Sequence, residues 1–233
     1  VKDFNGRVAA ITGAGSGIGR ALAQELSRRG AHLALSDIDE AGLAETVALC
    51  EGHAVKVTSQ RLDVADRDAV YAWADQVVAD HGKVNLIFNN AGVGLGATVE
   101  AMSHDDFDWL MSINFWGVVN GTKAFLPHLE AAGEGHVVNV SSVFGLLSIP
   151  AQSAYNAAKF AVRGFTDALR MELEIKRSPV SCTTVHPAGI RTNIARNARM
   201  DDSAVVLSGG GDSAARFDKI ARTSPAKAAH QIL

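Results

Sequence analysis

The sequence predicts a single α/β domain: a doubly wound parallel sheet between two layers of helices. Three observations carry that reading. Short apolar, β-branched runs alternate with helical patterns along most of the chain, as expected for strands buried on both faces. The first run, residues 7–12, passes directly into a glycine-rich turn, a helix and a second run that ends at Asp37, which makes one complete βαβ unit. The length of 233 residues suits one domain of this class.

The elements follow in order. Residues 7–12 (R-V-A-A-I-T) read as a buried strand, and G-A-G-S-G-I-G follows with glycines at 13, 15, 17 and 19. A helical pattern runs over 18–29 and stops at Gly30, a good helix terminator. Residues 31–36 form the second strand. Glycines let a backbone approach a pyrophosphate closely, and a helix N-terminus presents free N–H groups to it. Asp37 comes 37 − 19 = 18 residues after Gly19, where a carboxylate would bind a ribose hydroxyl pair. A glycine turn without a ligand is the plain alternative, and the placement between strand and helix disfavours it. Residues 40–49 read as a helix, 54–62 as a strand, 67–81 as a helix closed by Gly82, 84–88 as a strand, and 105–129 as one long helix. Residues 137–140 form an apolar strand interrupted only by Asn139. A loop with Gly145 and Pro150 leads to a helix over 153–177, and 178–186 is the sixth strand. Residues 193–217 are mixed, with Gly209, Gly210 and Gly211 in their middle, a composition that suits a mobile lid more than a packed element. Ser224 and Pro225 then open a last helix with an N-cap and a first-turn proline.

Bulk properties exclude several classes. Apolar residues make up 47% and charged residues 20%, an ordinary globular composition. The net charge of −3 gives no basic field for nucleic acid. Cys50 and Cys182 lie far apart in no metal-like spacing, so free thiols, a reducing cytoplasmic setting and no metal are expected. No leader and no apolar run of about 18 residues is visible, so no membrane partner is expected.

The chemistry concentrates around residues 135–165. Ser141 and Ser142 close the strand over 137–140, and Tyr155 and Lys159, four apart, share one face of the following helix. A phenol with a pKa of about 10 is a poor acid–base catalyst at neutrality, and shifting it three units needs roughly 4 kcal/mol. A lysine ammonium favours the phenolate, sufficiently only in a partly desolvated site with help from a cofactor charge. Two surface residues four apart by chance are the alternative. The nucleotide fingerprint upstream adds the weight that Y-x-x-x-K lacks alone.

The spacing T-G-x-x-x-G-x-G (Thr12, Gly13, Gly17, Gly19) resembles the short-chain dehydrogenase/reductase family, and further motifs match along residues 5–192. Asp63 and Val64 match the family's adenine-contacting position. Asn89, Asn90, Ala91 and Gly92 match its N-N-A-G stretch, and Asn114 its active-site asparagine. Ser142 lies 155 − 142 = 13 residues before Tyr155, a spacing common in the family, and fits better than the competing Ser141. Pro187 to Thr192 resemble the P-G-x-x-x-T nicotinamide loop, with Ala188 in the usual glycine's place and Gly189 one residue late. The resemblance implies a Rossmann fold with three αβα layers. It implies a catalytic set of Asn114, Ser142, Tyr155 and Lys159. Cofactor contacts would come from Gly13, Ser16, Gly17, Ile18, Gly19 and Asp37 in the first unit, and from Asp63, Val64, Asn90, Ala91 and Gly92 after the next strands. Tyr155, Lys159, Pro187, Gly189, Ile190 and Thr192 would complete them.

The implied activity is hydride transfer between NAD and a secondary alcohol or ketone. Tyr155 would exchange the proton, Lys159 lower its pKa and hold the nicotinamide ribose, Ser142 bind the substrate oxygen, and Asn114 anchor a water linked to Lys159. Asp37 would accept the ribose hydroxyls of NAD and repel the 2′-phosphate of NADP. Ser16 and Ile38 stand where NADP binders of the family often place a basic residue, and Arg20 is expected on the helix surface. Val93, Leu95, Val143, Phe144, Leu146, Leu147 and residues 205–207 would surround an apolar substrate, with Arg191, Arg196 and Arg199 the charges nearby. His186 is expected to pack at a strand end. Phe107, Trp109, Phe115 and Trp116 suit core or subunit contacts. Apolar residues on more than one helix face, including Trp116, Phe160 and Phe165, imply a homo-oligomer, by family habit a tetramer. Family members continue to a seventh strand that this sequence lacks, so the sequence is expected to be truncated, and its start at Val1 raises the same expectation there. A non-catalytic NAD-binding sensor or scaffold would need only the glycine turn and would leave the Ser142, Tyr155, Lys159 and Asn114 set unexplained. A related epimerase or dehydratase would use the same pair with a separate C-terminal substrate lobe that is absent here.

Overall fold

The computed structural model describes residues 3–207, 210 and 213–233. Strand β1 (Val8–Thr12) is buried throughout and enters the glycine turn, from which α1 (Gly17–Arg28) begins. Strand β2 (His32–Asp37) and helix α2 (Glu40–Cys50) follow, with Asp39 capping α2 by accepting the Gly42 N–H. Then come β3 (Val57–Arg61) and α3 (Arg67–His81), the latter capped by Asp66 and closed by Gly82 at φ +76°. After β4 (Leu86–Asn89) and the short β5 (Leu95–Gly96) comes α4 (His104–Met111), capped by Ser103. A π-turn at Ser112–Trp116 joins it to α5 (Gly117–Ala131). β6 (Gly135–Val140), α6 (Ser153–Ile175) and β7 (Val180–Val185) carry and frame the chemistry. The last elements are β8 (Arg199–Met200), α7 (Asp202–Leu207), α8 (Ser213–Ile220) and α9 (Pro225–Ile232), where Ser224 caps and Pro225 opens the first turn.

Six strands form one parallel sheet in the order β3-β2-β1-β4-β6-β7. Helices cover both faces. Val70, Trp73 and Val77 of α3, Phe125 and Leu129 of α5, and Leu169 and Leu173 of α6 fill one layer; Trp73 and Phe125 meet edge to face at 5.1 Å. Leu22 and Leu26 of α1, Leu43 of α2 and Ala229 of α9 fill the other. This is the doubly wound, three-layer arrangement that the alternating pattern predicts.

Three boundaries differ from expectation. The third strand starts at Val57, because residues 51–56 turn back on themselves, His53 N–H bonding the Cys50 carbonyl. The single helix expected over 105–129 is broken by the π-turn, which widens the helix at Asn114. No change in apolar spacing marks it. The stretch expected as a mobile lid is in part a packed element. Its β8 pairs in parallel with β5, Leu95 opposite Arg199 and Gly96 opposite Met200. Glycines permit this approach, since a Cβ on Gly96 would lie 2.7 Å from the Met200 side chain. Ser208, Gly209, Gly211 and Asp212 of that stretch lie outside the described residues. Among the described residues, no helix is long and apolar enough to cross a membrane, and no three His, Cys, Asp or Glu side chains are grouped to hold a metal.

Candidate active site

The chain leaves β1 toward β2 on one side and β4 on the other, so a crevice opens between β1 and β4 at their C-terminal ends. Its floor is the glycine turn. Gly13 has φ +65°, and a Cβ there would meet Ala91 Cα at 2.7 Å; one on Gly19 would lie 2.1 Å from the Gly13 carbonyl oxygen. Only glycine fits at either position. Thr12 ties the floor to the neighbouring loop: its hydroxyl accepts the N–H groups of Asn90 and Ala91 at 3.0 and 3.1 Å. Asn90 returns the link, its side-chain amide donating to the Thr12 and Gly13 carbonyls at 3.0 and 3.1 Å. That side chain therefore shapes the crevice from beneath. Ser16 caps α1 without a side-chain hydrogen bond, which leaves the first N–H groups of the helix free for an anion.

Asp37 ends β2 at the rim. Its Oδ2 accepts the Gly15 N–H at 2.7 Å and its Oδ1 the Asp39 N–H at 2.9 Å. Arg20 is not the plain surface residue that its helix position suggests. Its guanidinium turns inward to the Gly15 and Gly42 carbonyls, Thr46 and Glu45. Across the rim, Asp63 is exposed and accepts the Ala65 N–H at 2.9 Å, while Val64 is buried and its carbonyl accepts from the Asn120 amide at 3.2 Å.

The chemical groups gather where β6 meets α6. Lys159 is 3% exposed and donates from Nζ to the Val140 carbonyl at 3.0 Å. Burial lowers its pKa to about 8. Its ammonium lies 5.6 Å from the centre of the Tyr155 ring, and Phe144 packs edge-on to that ring at 6.3 Å. Burial raises the Tyr155 phenol, and a hydrogen bond with the Ser142 hydroxyl works against that rise. The expectation that Lys159 draws the phenol down counts on a cofactor charge as well; within the protein by itself, desolvation dominates both groups. Ser142 is 7% exposed and its Oγ also accepts the Phe144 N–H at 3.1 Å. Ser141, the competing serine, is engaged elsewhere. Its hydroxyl donates to the Lys159 backbone carbonyl at 2.8 Å and fastens α6 to β6.

Asn114 is fully buried in the π-turn. Its amide clamps Val93 from both sides, accepting the Val93 N–H at 2.8 Å and donating to the Val93 carbonyl at 2.9 Å. A Cβ built on Gly92 would lie 3.2 Å from Asn114 Oδ1 and 3.6 Å from Lys159 Nζ, so both groups converge on that glycine.

The loop after β7 completes the rim. The Pro187 carbonyl accepts the Val143 N–H at 3.0 Å, and Gly189 and Arg191 bond to the Thr223 backbone. Gly189, not residue 188, takes the positive φ of +56°, so Ala188 stands where a side chain costs nothing and the shifted glycine is the one the turn uses. Ile190 is buried, and Thr192 reaches the mouth of the glycine turn, 3.1 Å from a Cβ built on Gly17. His186 links its ring Nδ1 to the Ser142 carbonyl at 2.9 Å, the strand-end role expected of it. Beside Tyr155, Leu95, Leu110, Phe107, Trp109 and Phe115 form an apolar wall. Arg199 stacks on Trp109, 3.6 Å from the ring centre, and pairs with Asp106 at 2.9 Å.

Arg20, Thr12 and Ser141 are the residues that sequence reasoning passed over or placed elsewhere. Each acts through a backbone carbonyl or amide distant in sequence, which no spacing rule signals.

The chain is similar to known proteins along most of its length. The chain is 57% identical over 202 residues to the "Putative oxidoreductase SadH" of Mycobacterium tuberculosis, covering 87% of this chain and 73% of that protein. A short chain dehydrogenase/reductase from Burkholderia phymatum, solved in complex with NAD, superposes with a TM-score of 0.92 at 35% identity, over 99% of this chain and 85% of the other. Levodione reductase superposes at 0.87 with 32% identity, over 98% and 90%. The family model described as "short chain dehydrogenase" matches residues 7–203, from the start of β1 through the site to α7. With that match and that identity to an oxidoreductase, the chain belongs to the short-chain dehydrogenase family.

Proposed function

We propose that the protein is an NAD-dependent oxidoreductase acting on CH–OH groups, interconverting a secondary alcohol and a ketone with Tyr155 as general acid and base. The observation that carries this is the Ser142–Tyr155 hydroxyl pair with the buried Lys159 ammonium behind it, beside a dinucleotide crevice. The residues fit a nicotinamide dinucleotide: the N–H groups of α1, which Ser16 leaves without a side-chain cap, would hold a pyrophosphate, and Asp37 would offer its carboxylate to the adenosine ribose. The cofactor supplies the hydride donor and acceptor. The chain does the rest. In the reductive direction Tyr155 gives its proton to the carbonyl oxygen as charge develops there, Ser142 donates to the same oxygen, and Lys159 stabilises the phenolate left behind. In the oxidative direction the phenolate takes the alcohol proton. Asn114 would anchor a water near Lys159 that returns the proton to solvent.

The apolar wall around Leu95, Phe107 and Trp109 favours an apolar substrate, because an unpaired buried charge is costly. Residues 194–204, docked on β5, would form the lid over it. The experiment is a panel of secondary alcohols and ketones with NAD and NADP, read by absorbance of the reduced cofactor. Turnover is expected with bulky apolar alcohols, and NAD is expected to exceed NADP in kcat/KM at least about tenfold, since Asp37 faces a like-charged 2′-phosphate. Preference for dicarboxylates or sugar phosphates, or equal use of both cofactors, would refute this reading.

Exposed aromatic rings support an assembly, and the thiols support a location. Trp116 and Phe160 are 54% and 40% exposed on α5's approach and on α6, which supports a homo-oligomer, a tetramer, with these helices paired. Phe165 packs edge-on against Phe115 within the chain at 6.3 Å and contributes less to that face. Light scattering at micromolar concentration should return a multiple of the chain mass; a monomer would count against the pairing. Two buried free thiols, Cys50 and Cys182, support a reducing cytoplasmic setting.

A further inference from the structure

Gly15 lies between two ions, one on each of the two amides that flank its Cα. Its N–H donates to Asp37 Oδ2 at 2.7 Å, and its carbonyl accepts from Arg20 Nη2. The same nitrogen reaches the Gly42 carbonyl at 3.1 Å and Glu45 Oε2 at 2.8 Å, while Arg20 Nε donates to Thr46 Oγ1 at 3.0 Å. Thr46 extends the network to the Ala14 carbonyl at 2.8 Å. The glycine turn is thus fastened to α2 by one planar guanidinium, whose fixed fork holds several acceptors in a single geometry where an ammonium acts as a point charge. The Arg20 side chain is 27% exposed and that of Glu45 67%, so the ion pair is the outer, weaker part of the network and the carbonyl contacts the inner part.

The Gly15 N–H shares its amide with the Ala14 carbonyl, which accepts from Thr46, itself held by Arg20 Nε; a donor on that carbonyl polarises the N–H and strengthens its donation. In Gly15 that N–H holds Asp37. With Oδ2 fixed by Gly15 and Oδ1 by the Asp39 N–H, the carboxylate has one orientation, and its remaining lone pairs point one way. Without Arg20, Gly15 loses the anchor on its carbonyl and the Ala14–Gly15 amide loses its support through Thr46, the contact to Oδ2 loosens, and the carboxylate can rotate.

We propose, resting on the NAD reading above, that Arg20 is a positioning residue for cofactor choice: through Thr46 and the two amides that flank Gly15 it orients the Asp37 carboxylate toward the adenosine ribose hydroxyls. Arg20 touches no cofactor atom in this role. It differs from a phosphate anchor, which would favour NADP.

The test is binding, measured by calorimetry with NAD, NADP and nicotinamide mononucleotide, the half that lacks adenosine. Arg20→Met is expected to weaken NAD about tenfold while NADP stays within about twofold and the mononucleotide is unchanged. Combined with Asp37→Ala, which alone should lower the NAD:NADP ratio, Arg20→Met should lower it no further, because nothing remains to be oriented. Glu45→Gln, which leaves the carbonyl contacts intact, should keep the ratio within about twofold. If Arg20→Met does not fold, Arg20→Lys carries the test, with an expected loss of about threefold in the ratio. Equal weakening of all three ligands would make Arg20 structural only and overturn the proposal. A gain of NADP binding in Glu45→Gln would make the guanidinium a phosphate anchor and overturn it as well. An unchanged ratio in Asp37→Ala would sink the reading of Asp37, and the proposal with it; a changed ratio there beside an unchanged one in Arg20→Met or Arg20→Lys would sink the proposal alone.

Discussion

Tyr155→Phe is expected to lower kcat by about 100-fold or more in both directions, the usual scale for a general acid–base group. The change removes one oxygen and keeps the ring, so the edge-on contact with Phe144 survives. It also leaves the Ser142 hydroxyl without its phenol partner, while the bond from the Phe144 N–H still holds that serine in place. NAD affinity should change by less than about twofold, because the glycine turn and Asp37 are untouched. Burial raises the Tyr155 phenol, so at neutral pH Tyr155 holds its proton, the form that carbonyl reduction would use. Alcohol oxidation needs the phenolate, and its rate should climb as pH rises into the alkaline range. Steady-state kinetics in both directions over pH 6–10 check this. A Phe variant with near-normal kcat would mean that another group carries the proton.

How much of this was legible in the sequence depends on the range of the interaction. The six strands, their order of appearance and the crevice at Gly13 follow from apolar period and glycine spacing, both local signals. Asp37 is legible because a fixed number of residues separates it from the turn. The π-turn at Asn114 is not, since an extra residue in one turn leaves no trace in a pattern read at helical period. The docking of β8 on β5 is equally hidden. Two residues on each side pair across a long sequence separation, and only the close approach at Gly96 explains the glycine there. Arg20 shows the same limit: at helical spacing it reads as solvent-facing, and its partners on α2 come from a tertiary contact.

The electrostatics of the Tyr155–Lys159 pair were the least legible part. Spacing places the two on one face, but the sign of each shift depends on how much water the fold removes. Here desolvation opposes the charged form of both, raising the phenol and lowering the ammonium. The fold by itself thus holds the two groups away from the phenolate–ammonium state. A positive cofactor ring beside Tyr155 would shift that balance toward the phenolate, tying proton transfer to cofactor occupancy.

Lys159→Met is expected to abolish turnover, by about 100-fold or more, and at the same time to stabilise the fold at neutral pH. Burial lowers the folded-state pKa of Lys159 to about 8, below the ordinary lysine value. Below about pH 8 the residue is protonated in both folded and unfolded chains, and the folded chain carries the whole cost of a buried ammonium. As pH rises from about 8 toward the unfolded-state pKa of about 10.4, the folded chain releases its proton first, so the cost fades and wild-type stability gains with pH. A shift of this size corresponds to roughly 3 kcal/mol. Leaving the buried Val140 carbonyl without its 3.0 Å donor returns roughly 1–2 kcal/mol of that. The net gain at pH 7 is about 1–2 kcal/mol, or a Tm higher by about 2–8 °C in a chain of this length. The advantage should shrink by pH 10. Methionine matches the length of the buried stem and brings no charge, so overpacking does not obscure the comparison. Thermal melts of wild type and variant at pH 7 and pH 10 read both terms. A variant less stable than wild type at pH 7, or an advantage that grows with pH, would show that the ammonium is stabilised by the fold and that Lys159 is not held at a cost in stability for the sake of catalysis.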